Sequence, residues 1–311
     1  MHRLHGIIPP IVTPLASRDA IDEVGLERLV ERLVAAGVHG IFVLGTTGEG
    51  PSLSHRLRAE VVRLTARLLR GRLPLYVGIT DTSLVEAVDL GRVAADAGAA
   101  AVVAAPPFYF PAGQTELRHW FDCLLGDLPL PLVLYNMPGC TKIAIEPETV
   151  AAFIGHDRVI GLKDSSGDLA YFENITRLAA RERPDWPVLV GPEHLLAATL
   201  ALGGTGGVAG GANLVPGLFV AWFDAIRSGD TVGAAELHRQ VTDLQRLYTI
   251  GKYGSAFLKG VKCALELTGI CSGRLAAPFD AFYAPERTRV SAWLAEFSAP
   301  HWLPVAETAA I

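Results

Sequence analysis

The chain has 311 residues, of which 50% are hydrophobic and 19% charged, with a formal net charge of −5. Disorder combines low hydrophobicity with high net charge, so this composition excludes it, and a chain of this size buries roughly 75% of its extended surface without disulfide staples. The acidic balance gives no electrostatic footprint for nucleic acid or an anionic membrane as a partner.

From residue 6 onward, short apolar runs alternate with helical patterns. Runs at 6–12, 40–45, 74–79, 99–105, 130–136, 159–164, 187–191 and 206–210 are bounded by Gly, Pro or Thr. Uninterrupted apolar runs of this length suit parallel strands covered on both faces. Between them, Leu26, Leu29, Val30, Leu33 and Val34 recur at helical spacing, with Gly37 as a stop. Leu53, Leu57, Val61, Leu64 and Leu68 form a second stripe, and Ser83-Leu84-Val85-Glu86 predicts a capping box. The eighth helix follows Pro216 and stops near Gly229. This alternation predicts an α/β protein with a (β/α)8 TIM barrel, an open doubly wound sheet being the competitor. No strand pattern follows Asp230; 231–248, 255–268 and 285–297 read as three additional C-terminal helices. The expected organisation is a catalytic barrel over 1–229 and a helical extension over 230–311 packed on it.

Cys123, Cys140, Cys263 and Cys271 form no C-x-x-C pair and no zinc-like spacing with the histidines. They read as reduced thiols of a cytoplasmic protein, and the first ten residues lack the apolar core of a signal peptide. From His194 to Phe223 there is no Asp, Glu, Lys or Arg, but the glycines, Asn213 and Pro216 in this stretch argue against a continuous membrane helix.

In such barrels, reactive side chains gather at strand C-terminal ends. Of 27 basic residues only five are lysines, and one of them, Lys163, ends an apolar run. Burial by a barrel wall favours the free amine over the ammonium, and a free amine forms a Schiff base where arginine cannot. The structural alternative is a pairing with neighbouring Asp164. Tyr135 and Thr46 also fall at strand ends, where a phenol and a hydroxyl relay protons or simply complete the barrel. Thr46-Thr47-Gly48 offers hydroxyls and open backbone N–H groups that suit a carboxylate, or else forms an ordinary turn. Gly45–Gly50 lacks the Gly-Lys-Ser/Thr of a phosphate loop, and Gly204-Thr205-Gly206-Gly207-Val208-Ala209 precedes a strand rather than following one. Neither G-x-S-x-G nor H-E-x-x-H occurs, and no metal site is expected.

Gly45-Thr46-Thr47-Gly48-Glu49, Tyr135-Asn136-Met137-Pro138 and Gly161-Leu162-Lys163-Asp164 occur in order at three strand ends. In this the chain resembles the dihydrodipicolinate synthase / N-acetylneuraminate lyase family of pyruvate-dependent Schiff-base aldolases. The resemblance implies an imine between Lys163 and a 2-oxo acid, Tyr135 as general acid/base, and Thr46 as its proton relay. It implies that Thr47 holds the carboxylate, that Val208 offers backbone polar groups, and that Tyr109 reaches across a dimer interface. Ser165 and Glu193 match positions that contact substrate hydroxyls, with Gly191 completing the substrate-binding set. It further implies a homotetramer built as a dimer of dimers, with no metal or organic cofactor. Where true dihydrodipicolinate synthases carry an arginine for the aldehyde's carboxylate, this chain has Cys140, which disfavours that reaction. The expected substrate is therefore a hydroxylated, sugar-derived 2-keto-3-deoxy acid, cleaved to pyruvate and an aldehyde. The rivals are a hydro-lyase on the same acid, dihydrodipicolinate synthase itself, and a non-catalytic carboxylate sensor.

Overall fold

The computed structural model, which describes residues 4–304, places eight parallel strands in one sheet. The strands are β1 (Gly6–Ile7), β2 (Leu15–Ser17), β3 (Ala20–Ile21), β4 (Ile41–Val43), β5 (Leu75–Gly78), β6 (Ala101–Ala104), β7 (Leu132–Asn136), β8 (Val159–Asp164), β9 (Val188–Val190) and β10 (Gly206–Gly207). The sheet order is β1-β10-β9-β8-β7-β6-β5-β4, and β2 and β3 form a separate antiparallel pair. The edges then join. The N–H of His39 donates to Ile7 O at 2.8 Å, that of Phe42 to Pro9 O at 3.0 Å, and that of Ile11 to Phe42 O at 2.9 Å. The ring is a (β/α)8 barrel.

Each strand of the eight-stranded sheet is covered on both faces, which is why its sequence does not alternate. Val133 and Tyr135 point into the barrel, beside Leu4, Ile8, Phe42, Tyr76 and Leu189. Leu132 and Leu134 point outward, under the helices. Tyr135 pairs in register with Lys163, and Asn136 with Asp164. Strand alternation thus sends Tyr135 and Lys163 inward at the C-terminal rim, and Asn136 and Asp164 outward.

Helices fill the connections, and side chains cap their starts. Asp22 accepts from the Gly25 N–H at 2.9 Å, Asp168 from Ala170 at 2.8 Å, and Asp230 from Gly233 at 2.9 Å. Each such cap is worth ~1 kcal/mol. The box expected at Ser83 is half made. Ser83 Oγ accepts from the Glu86 N–H at 3.4 Å, but the Glu86 carboxylate lies 3.0 Å from His55 instead. The run expected as a strand at 6–12 shortens to two residues, because Pro9 and Pro10 have no N–H to give a ladder. The run at 206–210 also shortens; Gly210–Asn213 turns as a 3-10 helix.

Three α-helices follow the barrel, at Thr231–Leu244, Ala256–Leu267 and Ala284–Glu296. Side chains tie them to it: Lys262 reaches Glu49, Tyr248 reaches Glu193, and Asp22 accepts from the Ser272 N–H. The uncharged stretch from His194 to Phe223 divides among two 3-10 turns, a short helix, β10 and part of the helix Pro216–Ser228. Among the described residues, no helix is long and apolar enough to cross a membrane.

Candidate active site

Lys163 ends up nearly buried, at 5% exposure, with no carboxylate within salt-bridge distance among the described residues. The alternative pairing with Asp164 is not made. Asp164 turns to the other face of β8, where it accepts from Asn136 Nδ2 at 2.8 Å, the Ser166 N–H at 3.1 Å and the Ser166 hydroxyl at 2.9 Å. Burial raises the Asp164 pKa, opposed by the Asn136 bond. The Lys163 amine instead faces rings: Nζ lies 4.0 Å from the Tyr135 ring centroid and 5.0 Å from that of Phe42. Tyr135 Oη and Thr46 Oγ1 are 3.2 Å apart and share a hydrogen bond. Amine, phenol ring and threonine hydroxyl therefore come from three strand ends and are neighbours at one rim.

The loop carrying Thr46 is held in a costly shape. Leu44 (φ +59°) and Glu49 (φ +57°) both adopt left-handed backbone, which costs non-glycine residues of order 1–3 kcal/mol each. A Cβ on Gly50 would fall 2.2 Å from Leu44 O, and one on Gly78 would fall 2.5 Å from the same oxygen. Only glycine lets these segments approach so closely. The strain is held by Glu49, whose carboxylate accepts from Lys262 Nζ at 2.5 Å and from the Ala276 N–H at 2.7 Å. Lys262 is fully buried and donates also to Arg274 O at 2.6 Å; burial lowers its pKa and Glu49 raises it. The turn leaves the N–H groups of Thr46, Thr47 and Gly48 with no protein acceptor among the described residues. Adjacent free donors of this kind suit an anion.

A cavity of about 280 Å³ is bordered by Thr46, Tyr135, Phe108, Met137, Cys140 and Phe279 among others. Lys163 borders a smaller void of about 10 Å³, together with Val208 and the apolar barrel interior. The Val208 N–H donates to Val190 O at 2.7 Å, while no N–H donates to its carbonyl among the described residues.

Ser165, Gly191, Glu193 and Tyr109 line neither void. Ser165 packs against Gly191, where a Cβ would fall 1.9 Å from Ser165 Oγ. Glu193 is buried and its carboxylate is filled by protein donors: Tyr248 Oη at 2.6 Å, Gly211 N–H at 2.7 Å and Gln245 Nε2 at 2.9 Å. Burial raises its pKa, against those bonds. Tyr109 lies outside the cavity of its own chain, 95% exposed, with a left-handed φ of +86°. Phe42, Lys262 and the apolar cavity wall were not singled out from sequence. Glu49 and Lys262 are 213 residues apart, and no local spacing relates them.

A closed parallel barrel with polar groups converging on an unpaired lysine at a strand end is the architecture of a barrel enzyme. A family model, the dihydrodipicolinate synthetase family, matches residues 3–296. The chain is 34% identical over 277 residues to the 4-hydroxy-tetrahydrodipicolinate synthase of Methanoculleus marisnigri, covering 88% of this chain and 93% of the relative. It is similar to the structure of dihydrodipicolinate synthase from Bacteroides thetaiotaomicron, with a TM-score of 0.91 and 48% identity over 94% of this chain and 98% of that one. It is also similar to YagE, a member of the same family from Escherichia coli K12 solved in complex with pyruvate (TM-score 0.89, 28% identity, 94% and 98% covered). The chain belongs to the dihydrodipicolinate synthetase family, whose members are pyruvate-dependent lyases.

Proposed function

We propose that this lyase forms an imine between Lys163 and the keto carbon of pyruvate or a 2-oxo acid derived from it. The observation that carries this reading is the buried, unpaired Lys163 amine beside Tyr135, whose hydroxyl is bonded to Thr46. In the proposed sequence, the amine adds to the carbonyl and the carbinolamine loses water. Tyr135 gives and takes the protons, and Thr46 passes them onward. The free N–H groups of Thr46, Thr47 and Gly48 hold the carboxylate, and the Val208 carbonyl faces the bound acid. The imine is itself the electron sink, so the proposed reaction needs no metal or organic cofactor. A proton leaves C3 to give an enamine, which forms or cleaves a C–C bond with an aldehyde; loss of water from a hydroxylated acid is the competing outcome.

The substrate expected from sequence was a hydroxylated, sugar-derived acid contacting Ser165, Gly191 and Glu193. That reading has less geometric support, because the Glu193 carboxylate already accepts three protein hydrogen bonds. The synthase reaction itself has less still: Cys140 offers an aldehyde carboxylate no counter-charge. A carboxylate sensor has no use for a phenol–hydroxyl pair beside the amine. We also propose a cytoplasmic homotetramer, a dimer of dimers in which Tyr109 enters a neighbouring copy's site. Its near-complete exposure on strained backbone supports this.

Deuterium exchange tests the reading. Pyruvate incubated with the protein in D2O should lose its methyl protons by NMR, because the enamine forms reversibly. Unchanged methyl intensity beyond the protein-free rate would overturn it.

A further inference from the structure

The larger cavity meets the Lys163 amine through Phe42 and Tyr135, which line it and whose rings face Nζ, and it has two ends of different chemistry. One is bordered by Tyr135 and by Thr46, whose N–H has no protein acceptor among the described residues. The other is walled by Pro51, Phe108, Met137, Cys140, Leu258 and Phe279, and among the described residues no Lys, Arg or His lines the cavity. Its one charged lining residue, Glu49, spends its carboxylate oxygens on Lys262 and the Ala276 N–H. Each of its hydroxyls but one already has a protein partner, although Thr80 and one of the Thr46–Tyr135 pair keep an O–H to donate. Thr80 Oγ1 accepts from the Ala105 N–H at 3.0 Å, Thr141 donates to Ile143 O at 2.9 Å, and Thr46 is bonded to Tyr135. Among the lining hydroxyls only Ser52 lies outside these bonds.

Each substrate class meets this wall differently. A carboxylate there is desolvated with no counter-charge. A polyhydroxylated chain loses its bonds to water and finds few replacements. An aromatic or branched aliphatic group loses only unfavourable hydration and gains contact with two phenyl rings and a thioether. Resting on the pyruvate-imine reading above, we propose that the partner of the enamine is an aldehyde with an uncharged, apolar substituent, and an aromatic ring in particular. The Phe108–Met137–Phe279 wall is the binding site of that ring. A cavity of about 280 Å³ is small for a ligand site and suits a single ring.

The step balances. Pyruvate and the Lys163 amine give the imine and one water; C3 loses a proton to give the enamine. C3 bonds to the aldehyde carbon, the aldehyde oxygen takes a proton from Tyr135, and one water releases the 4-hydroxy-2-oxo acid. The reverse cleaves that acid to pyruvate and the apolar aldehyde.

The test compares kcat/KM with pyruvate for three aldehydes: benzaldehyde, succinate semialdehyde and glyceraldehyde. Pyruvate deuterium exchange is measured on the same samples. Benzaldehyde is expected to exceed each of the others by at least about tenfold. Cys140→Arg, which sets a guanidinium at the wall, should move the preference toward succinate semialdehyde; Phe279→Arg, at a 37% exposed position, serves if that variant does not fold. Exchange that proceeds while wild type prefers succinate semialdehyde or glyceraldehyde overturns the apolar site and leaves the imine standing. Absence of exchange overturns the imine reading itself.

Discussion

The Lys262–Glu49 pair links a C-terminal helix to the turn that presents Thr46 and Thr47, and removing its cation should be felt in both stability and binding. In Lys262→Met, the packed volume is roughly kept, but the Glu49 carboxylate retains only the Ala276 N–H, 2.7 Å away. Both side chains of the pair are essentially inaccessible, at 0% and 1% exposure. Breaking a buried pair by removing one partner costs about 3–5 kcal/mol, because an uncompensated charge stays behind. Removing both charges costs less, so Lys262→Met combined with Glu49→Leu should be more stable than Lys262→Met alone. Equilibrium urea unfolding reads both variants, and pyruvate exchange reads the turn: KM for pyruvate should rise more than kcat falls. A Lys262→Met protein within about 1 kcal/mol of wild type would refute the reasoning, since no buried charge can then have been stranded.

Two further outcomes follow from the same geometry. Tyr135→Phe should lower kcat by ~10²–10⁴-fold with little change in KM, because it removes a proton-transfer group and keeps the ring against Lys163; a rise in KM alone would remove its acid/base role. Burial raises the Glu193 pKa, so the native state keeps that proton to higher pH than the unfolded chain, whose Glu titrates near ~4.3. Stability should therefore fall as pH rises through the window between the unfolded and native values, and Glu193→Gln should abolish that contribution. Unfolding free energies of the two proteins measured across this window check it, and parallel pH profiles would count against it.

What the sequence revealed, and what it hid, follows from the range of the forces involved. The eight apolar runs were legible because burial on both strand faces suppresses alternation, and Lys163 stood out because a lysine interrupts one of them. Tyr135 and Lys163 could be placed on the same rim because strand register carries them there together. The antiparallel pair at Leu15–Ser17 and Ala20–Ile21 was missed, since strands of three and two residues have no period to read. The Glu49–Lys262 pair was missed because two charges 213 residues apart share no spacing. Glu193 was expected at the substrate, and its partners Gln245 and Tyr248 come from the segment after the barrel, which local pattern does not position. The apolar wall was hidden for the same reason: Phe108, Met137, Leu258 and Phe279 meet only when the last helices pack on the rim.

The central claim is covalent, and one measurement addresses it directly. The protein is incubated with pyruvate and borohydride, and its intact mass and peptide map are read. The expected result is a single reduced pyruvate adduct on Lys163 that Lys163→Arg abolishes. No adduct on wild type, or an adduct that persists in Lys163→Arg, would contradict the account.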